Sequence, residues 1–212
     1  MHLVSTEIEK YIDQHCSDES DALQQLNRKT QTDVLMPQML SGKVQGQFLQ
    51  LFSHAVQPNR VLEIGTYTGY SAICLAEGLA KNGQLISIDI NEELSELASE
   101  FIEKAGHQSR IRLLHGKAAE IIPSLDMELD LVFIDADKTN YSLYFDLVID
   151  HVKSGGFILA DNVLYHGDVL EHETAGRNAK AMHAYNEKIL NDSRVECVLL
   201  PLRDGVMISR KK

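Results

Sequence analysis

The sequence predicts an α/β fold: a seven-stranded mixed sheet with helices on both faces. Three observations lead to it. From about residue 60 onward, short apolar runs alternate with amphipathic stretches. The runs are nearly continuous in apolar character, as in parallel strands covered on both faces. The last two runs are joined so closely that they must pair antiparallel.

Taken in order, residues 3–30 read as helical, with Leu3, Ile8, Tyr11 and Ile12 set among charges. Pro37 breaks the pattern. "SGKVQGQFLQLFSHAV" resumes it, with Val44, Phe48, Leu51, Phe52 and Val56 near helical spacing. After Pro58 come the strand candidates "RVLEI" (60–64), "QLISIDI" (84–90), "IRLLHG" (111–116), "LDLVFID" (129–135) and "GGFILAD" (155–161). Helical segments lie near 70–80, 92–105, 117–125 and 139–153, and 163–180 reads as a loop. "VECVLLPL" (195–202) and "GVMISRK" (205–211) are separated only by Arg203 and Asp204. Five parallel strands followed by a hairpin are expected.

The length of 212 residues suits a single domain over 1–212, with 1–57 as an N-terminal helical cap and 58–212 as the core. No apolar run approaches the roughly 18 residues that a membrane helix needs. The polar, acidic N-terminus lacks a signal-peptide core. Cys16, Cys74 and Cys197 are odd in number and widely spaced, which reads as reduced thiols in a cytoplasmic protein. A net charge of −11 argues against broad capture of nucleic acid or anionic membrane.

The first strand runs into a glycine turn, "VLEIGTYTGYSAICLAEGL" (61–79). A dinucleotide site would need G-x-G-x-x-G, so that backbone can approach a pyrophosphate. Counting from Gly65, those glycines belong at 67 and 70, and both positions are tyrosine. A nicotinamide or flavin is therefore disfavoured, whereas a nucleoside without phosphates needs no such cradle. Asp89 closes the second strand, where a carboxylate can accept bonds from ribose hydroxyls. Its bland alternative is a helix N-cap. Glu63 on a buried strand needs a partner, either a ligand ammonium or a structural ion pair. Turn and acids together point to S-adenosylmethionine (SAM).

Two later strands end in oxygen ligands. "LVFIDADK" delivers Asp135, and "FILADN" delivers Asp161 and Asn162. In a parallel sheet such strand ends share the edge that carries the first turn. Hard oxygens without a His/Cys cluster suit Mg²⁺, with Ca²⁺ or Mn²⁺ as alternatives. Lys138 follows closely. A dication beside it would penalise its charged form, leaving an amine able to take a proton from a hydroxyl. Asp137 could orient Lys138 or face solvent.

At these motifs the chain resembles the cation-dependent class I SAM O-methyltransferases, the family of catechol and caffeoyl-CoA O-methyltransferases with many bacterial members. The resemblance rests on "GKVQGQFLQLF", "VLEIGTYTGYS", "SIDIN", "VFIDADKTNY", "GGFILADNVL" and "VECVLLPLRDGVMISRK". It implies a Rossmann-like sheet whose last strand is antiparallel. It also implies SAM contacts at Ser41, Glu63, Gly65, Thr66, Tyr67, Ser71, Asp89, Ala118 and Asp135. The metal would be held by Asp135, Asp161 and Asn162, with Lys138 as base. Ala118 stands where the catechol enzyme has a more polar adenine contact, so backbone or apolar contacts are expected there.

The resemblance further implies a homodimer, with the N-terminal helices covering the substrate side. Tyr165 stands where plant caffeoyl-CoA enzymes usually carry tryptophan, and no basic residues match their CoA site. A free ortho-dihydroxy phenolic is therefore expected as substrate, rather than a CoA ester. His166 and Arg177 lie in the 163–180 loop, and Arg203 in the last turn either meets substrate or closes the hairpin. A tRNA wobble-hydroxyuridine methyltransferase is the alternative enzyme, and a non-catalytic SAM-binding module the alternative class.

Overall fold

The computed structural model describes residues 4–171 and 173–212. Leu3, in the expected first helix, lies outside the described residues. They fall into two compact units, Thr6–Lys117 and Ala118–Lys212, residues 4 and 5 going with the second.

In the first unit, the stretch expected as one helix is two: α1 (Thr6–Gln14) and α2 (Asp21–Asp33). Ser20 starts the second as an N-cap, its hydroxyl accepting the Leu23 N–H at 3.4 Å. Ile8 and Tyr11 of α1 are exposed, while Leu23 and Leu26 of α2 are buried. A 3₁₀ turn at Pro37–Met39 follows, where Pro37 predicts a break.

Helix α3 (Gly42–Val56) buries a face that the expected Val44, Phe48, Leu51, Phe52 and Val56 do not mark. Gln45, Gly46, Leu49 and Ser53 are inside, and Leu51 is 66% exposed. The reason is close packing on α4 (Tyr70–Glu77). A Cβ on Gly46 would stand 2.7 Å from Tyr70 Cε1, and Ser53 Oγ donates to the Leu75 carbonyl at 2.6 Å. Gly46 and Ser53 are small enough to let two backbones approach, so size as well as hydropathy sets this face.

Strands β1 (Arg60–Ile64), β2 (Gln84–Asp89) and β3 (Ile111–His115) pair in parallel in the order β3-β2-β1. Helix α5 (Ser95–Lys104) connects β2 to β3.

The second unit opens with a short α6 (Ala118–Ile121) and a 3₁₀ turn (Ile122–Ser124). Strand β4 (Leu129–Ile134) is buried along its whole length, as expected of a strand covered on both faces. After it come α7 (Tyr141–Val148) and β5 (Val152–Asp161), which is parallel to β4. β6 (Val195–Leu200) and β7 (Val206–Lys211) form the expected antiparallel hairpin, and β7 inserts between β5 and β6, antiparallel to both. Their turn is longer than expected, because Pro201 and the left-handed Arg203 and Gly205 leave the ladder.

One helix was not expected. Arg177–Asn191 is α8, so the loop read over 163–180 ends early. A 3₁₀ segment, Tyr165–Glu171, fills much of the remainder; His172 lies outside the described residues. Ala179, Met182, Tyr185 and Ile189 are the buried stripe of α8. Their spacing carries the helical signal among the polar residues around them.

The seven strands belong to one mixed sheet. The first unit contributes β3-β2-β1 and the second β4-β5-β7-β6.

Candidate active site

The first unit builds a cradle around the turn after β1. Gly65 and Gly69 have φ of 105° and 85°, a left-handed region that favours glycine. Tyr67 between them also has a positive φ, 50°. Asp89 holds this backbone in place. Its Oδ2 accepts the Thr66 N–H at 2.9 Å and the Tyr67 N–H at 2.8 Å. Its Oδ1 accepts the Asn91 N–H at 2.8 Å. The helix N-cap alternative therefore does not describe Asp89: α5 begins only at Ser95, and the carboxylate ties two turns together instead. A carboxylate has about four acceptor sites. Three are in use, and Oδ1 keeps room for a further donor.

Beneath the turn, Glu63 is fully buried. The Ser87 hydroxyl donates to Glu63 Oε2 and also meets the Thr66 hydroxyl at 2.5 Å. Ser87 was absent from the expected set. Its signal was a hydroxyl in the middle of an apolar strand. Tyr67 reaches outward, its hydroxyl lying 3.3 Å from the Leu35 carbonyl and 3.2 Å from that of Met36. Partial burial raises this phenol above its ordinary range. Ser41 is buried just before α3 and Ser71 is buried in the first turn of α4.

The second unit gathers the oxygen set. Lys138 is the centre. Its Nζ donates to Asp135 Oδ1 at 3.0 Å, Asn162 Oδ1 at 2.8 Å and the Tyr141 hydroxyl at 2.7 Å. Asp161 is buried at the end of β5, and its Oδ1 accepts the Asn162 N–H at 2.8 Å. Asn162 takes a left-handed φ of 58°, one that asparagine tolerates better than most side chains. Asp137 neither orients Lys138 nor stands free. Asn140 Nδ2 donates to it at 2.5 Å, and so does the Tyr144 hydroxyl. Burial and Asp137 together drive the Tyr144 phenol far up, keeping it neutral. Ala118 is buried at the start of α6.

No group of three His, Cys, Asp or Glu side chains is disposed to hold a metal ion among the described residues. The candidate set has two carboxylates and one amide, so its fit is judged by the oxygens. Asp135 and Asn162 already converge on one point, the Lys138 nitrogen. Two carboxylates and a carbonyl oxygen are hard donors of the kind Mg²⁺, Mn²⁺ or Ca²⁺ accepts. The residues fit such an ion.

A sequence model described as O-methyltransferase matches residues 13–212. The chain belongs to the O-methyltransferase family. The catechol O-methyltransferase of Niastella koreensis is 32% identical over 207 residues, covering 94% of this chain and 93% of that protein. The caffeoyl-CoA O-methyltransferase 1 of Arabidopsis thaliana is 34% identical over 186 residues, covering 82% and 71%. The solved O-methyltransferase of Bacillus cereus, in complex with S-adenosylhomocysteine, superposes with a TM-score of 0.90 at 27% identity and covers 98% of each chain. The fold is that of the class I SAM methyltransferases, and the chain is a SAM-dependent O-methyltransferase.

In this O-methyltransferase the segment after Asn162 is unusually bent. Tyr165, His166 and Gly167 have φ of 44°, 58° and 88°. Asp204 of the last turn pins it, accepting the His166 N–H at 2.6 Å and pairing with the ring at 3.5 Å. Tyr165 accepts from Asn178 of α8 at 2.9 Å. Arg177 is the first residue of α8. Among the described residues, no helix of the enzyme is long and apolar enough to cross a membrane.

Proposed function

We propose that the enzyme methylates one hydroxyl of a free ortho-dihydroxy phenolic, using SAM and a divalent cation held by Asp135, Asp161 and Asn162. The observation that carries this reading is the convergence of Asp135 and Asn162 oxygens on the Lys138 amine. It puts a base and hard cation ligands within one hydrogen-bond shell.

In this reading Asp89 receives a ribose hydroxyl at Oδ1, and Glu63, Gly65, Thr66, Tyr67, Ser71, Ser41 and Asp135 surround the donor. Ala118 supplies an apolar wall for the adenine. A divalent cation held by Asp135, Asp161 and Asn162 would supply Lewis acidity, making a phenolic hydroxyl easier to deprotonate. Lys138 removes that hydroxyl's proton as a general base. The freed oxygen pair then forms the O–CH₃ bond as the methyl–sulfur bond breaks, and the sulfur leaves with that electron pair as S-adenosylhomocysteine. Holding both reactants in line contributes about 7–11 kcal/mol to lowering the barrier.

The name of the Niastella relative supports a catechol, and the small-molecule reading extends to the other phenolic relatives. The working unit in this proposal is one methyltransferase domain over 1–212, with 1–57 as its cap, in a cytoplasmic homodimer. Three free cysteines support a reducing compartment, and the exposed Ile8 and Tyr11 of α1 support a partner surface. The test is a methylation screen of ortho-diphenols with Mg²⁺ or with excess chelator. Methylation that depends on the ion is expected. Undiminished turnover in chelator would remove the metal, and no turnover on any ortho-diphenol would remove the substrate class.

A further inference from the structure

We propose that Tyr141 is the positioning residue for Lys138, holding its amine against the oxygen set through a hydroxyl whose own proton is committed elsewhere. This rests on the reading of Lys138 as the base. Tyr141 is completely buried. Its hydroxyl donates to the main-chain carbonyl of Asp161 at 3.1 Å, and a phenol has one proton to give. Toward Lys138, 2.7 Å away, it therefore acts as an acceptor. It cannot donate into the amine's lone pair without abandoning Asp161.

The consequence is directional. A lysine side chain has four rotatable carbons and samples many rotamers when free. Here Tyr141 links it to the end of β5, the strand that carries Asp161 and leads into Asn162. Base and oxygen ligands thus share one frame. When the amine has taken its proton, its three N–H bonds find three acceptors: Asp135, Asn162 and Tyr141. The Tyr141 ring is fixed in turn, edge-on to Tyr185 at 5.5 Å, with the Lys138 nitrogen 4.9 Å from its centroid.

Tyr141→Phe keeps the ring and removes the oxygen. We expect kcat to fall about ten-fold or more while KM for the phenol and Kd for SAM stay within two-fold. Tyr185→Phe is the control, since its buried hydroxyl has no hydrogen-bond partner among the described residues and its ring packs on the same tyrosine. It should leave kcat unchanged. A Tyr141→Phe enzyme with normal kcat would overturn the inference. So would an equal loss in Tyr185→Phe, parallel changes in kcat and binding, or a Tyr141→Phe chain that fails to fold, each of which makes the hydroxyl a packing element. Lys138→Ala, measured alongside, separates the two claims. Full activity there sinks the base itself, whereas a slow Lys138→Ala beside a fast Tyr141→Phe sinks only the positioning role.

Discussion

The Lys138 amine donates to the Asn162 side-chain oxygen at 2.8 Å. The same oxygen is a candidate cation ligand, so the lysine nitrogen and a metal ion draw on one donor. Replacing the lysine should help the ion and harm the chemistry. Lys138→Met is expected to bind Mg²⁺ several-fold more tightly, because a competing partner for the Asp135 and Asn162 oxygens is removed. Its kcat should fall about 10²–10⁴-fold, the usual worth of a general base. Calorimetric titration and single-turnover methylation read the two effects separately. Weaker Mg²⁺ binding by the variant would argue against a shared site.

Asp161 is the buried member of the oxygen set. Asp161→Ala removes a carboxylate and also leaves the Asn162 N–H without its acceptor. A loss of at least about 100-fold in kcat/KM is expected, since even outer-shell partners of metal ligands are worth 10–100-fold. The residual rate should no longer respond to chelator. A variant that stays chelator-sensitive at near-normal rate would place the ion elsewhere.

Asp89 holds the glycine turn by two N–H bonds, from Thr66 and Tyr67, and ties it to Asn91 by a third. Hydrogen bonds to a charged group contribute about 1.5–3 kcal/mol each. Asp89→Ala should weaken SAM binding by about 10–100-fold on that scale. Asp89→Asn should be nearly as damaging, because its amide NH₂ would face backbone donors. Equilibrium SAM binding checks both. An Asn variant that binds SAM normally would mean that neither the charge nor the second acceptor matters.

Gly78 stands where a Cβ would come 2.2 Å from the His54 nitrogen and 2.3 Å from the Ser53 carbonyl carbon. Those are backbone atoms and cannot rotate away. Gly78→Ala should cost about 3 kcal/mol or more of stability, at the upper end for overpacking. Gly106→Ala meets no atom within 4 Å and has φ +77°, so only the left-handed penalty of about 1–2 kcal/mol applies. Urea unfolding ranks the two, and the reverse order would contradict the α3–α4 packing.

Asp192 supplies a pH signature. Hydrogen bonds from the Arg194 side chain, then from its backbone N–H, hold this carboxyl down at about 2. A depressed carboxylate stabilises the fold above its unfolded value near 4, and that stability fades as pH falls through about 2. Arg194 is 43% exposed, so the contribution is at most about 1 kcal/mol. Asp192→Asn should therefore be less stable than the parent at pH 6, and the gap should close between about pH 4 and pH 2. A gap that persists at pH 2 would assign the loss to packing.

The order of the strands was legible in the sequence. "RVLEI" is β1 residue for residue, and the close spacing of the last two apolar runs forced an antiparallel pair. Such features are local: strand burial and connection length are written in consecutive residues. It also marked Asp135, Lys138 and Asn162, which the second unit brings together through one nitrogen. Helix α8 was overlooked because Ala179, Met182, Tyr185 and Ile189 are sparse apolar positions in a polar stretch. Which groups answer one another is a matter of packing. Asp137 goes to Tyr144 rather than Lys138, Ser87 lies under Glu63, and Tyr141 spans Lys138 and Asp161. A hydrogen bond depends on where two side chains end in space, and for groups 20 or more residues apart, such as Tyr141 and Asp161, that is set by packing rather than by spacing along the chain.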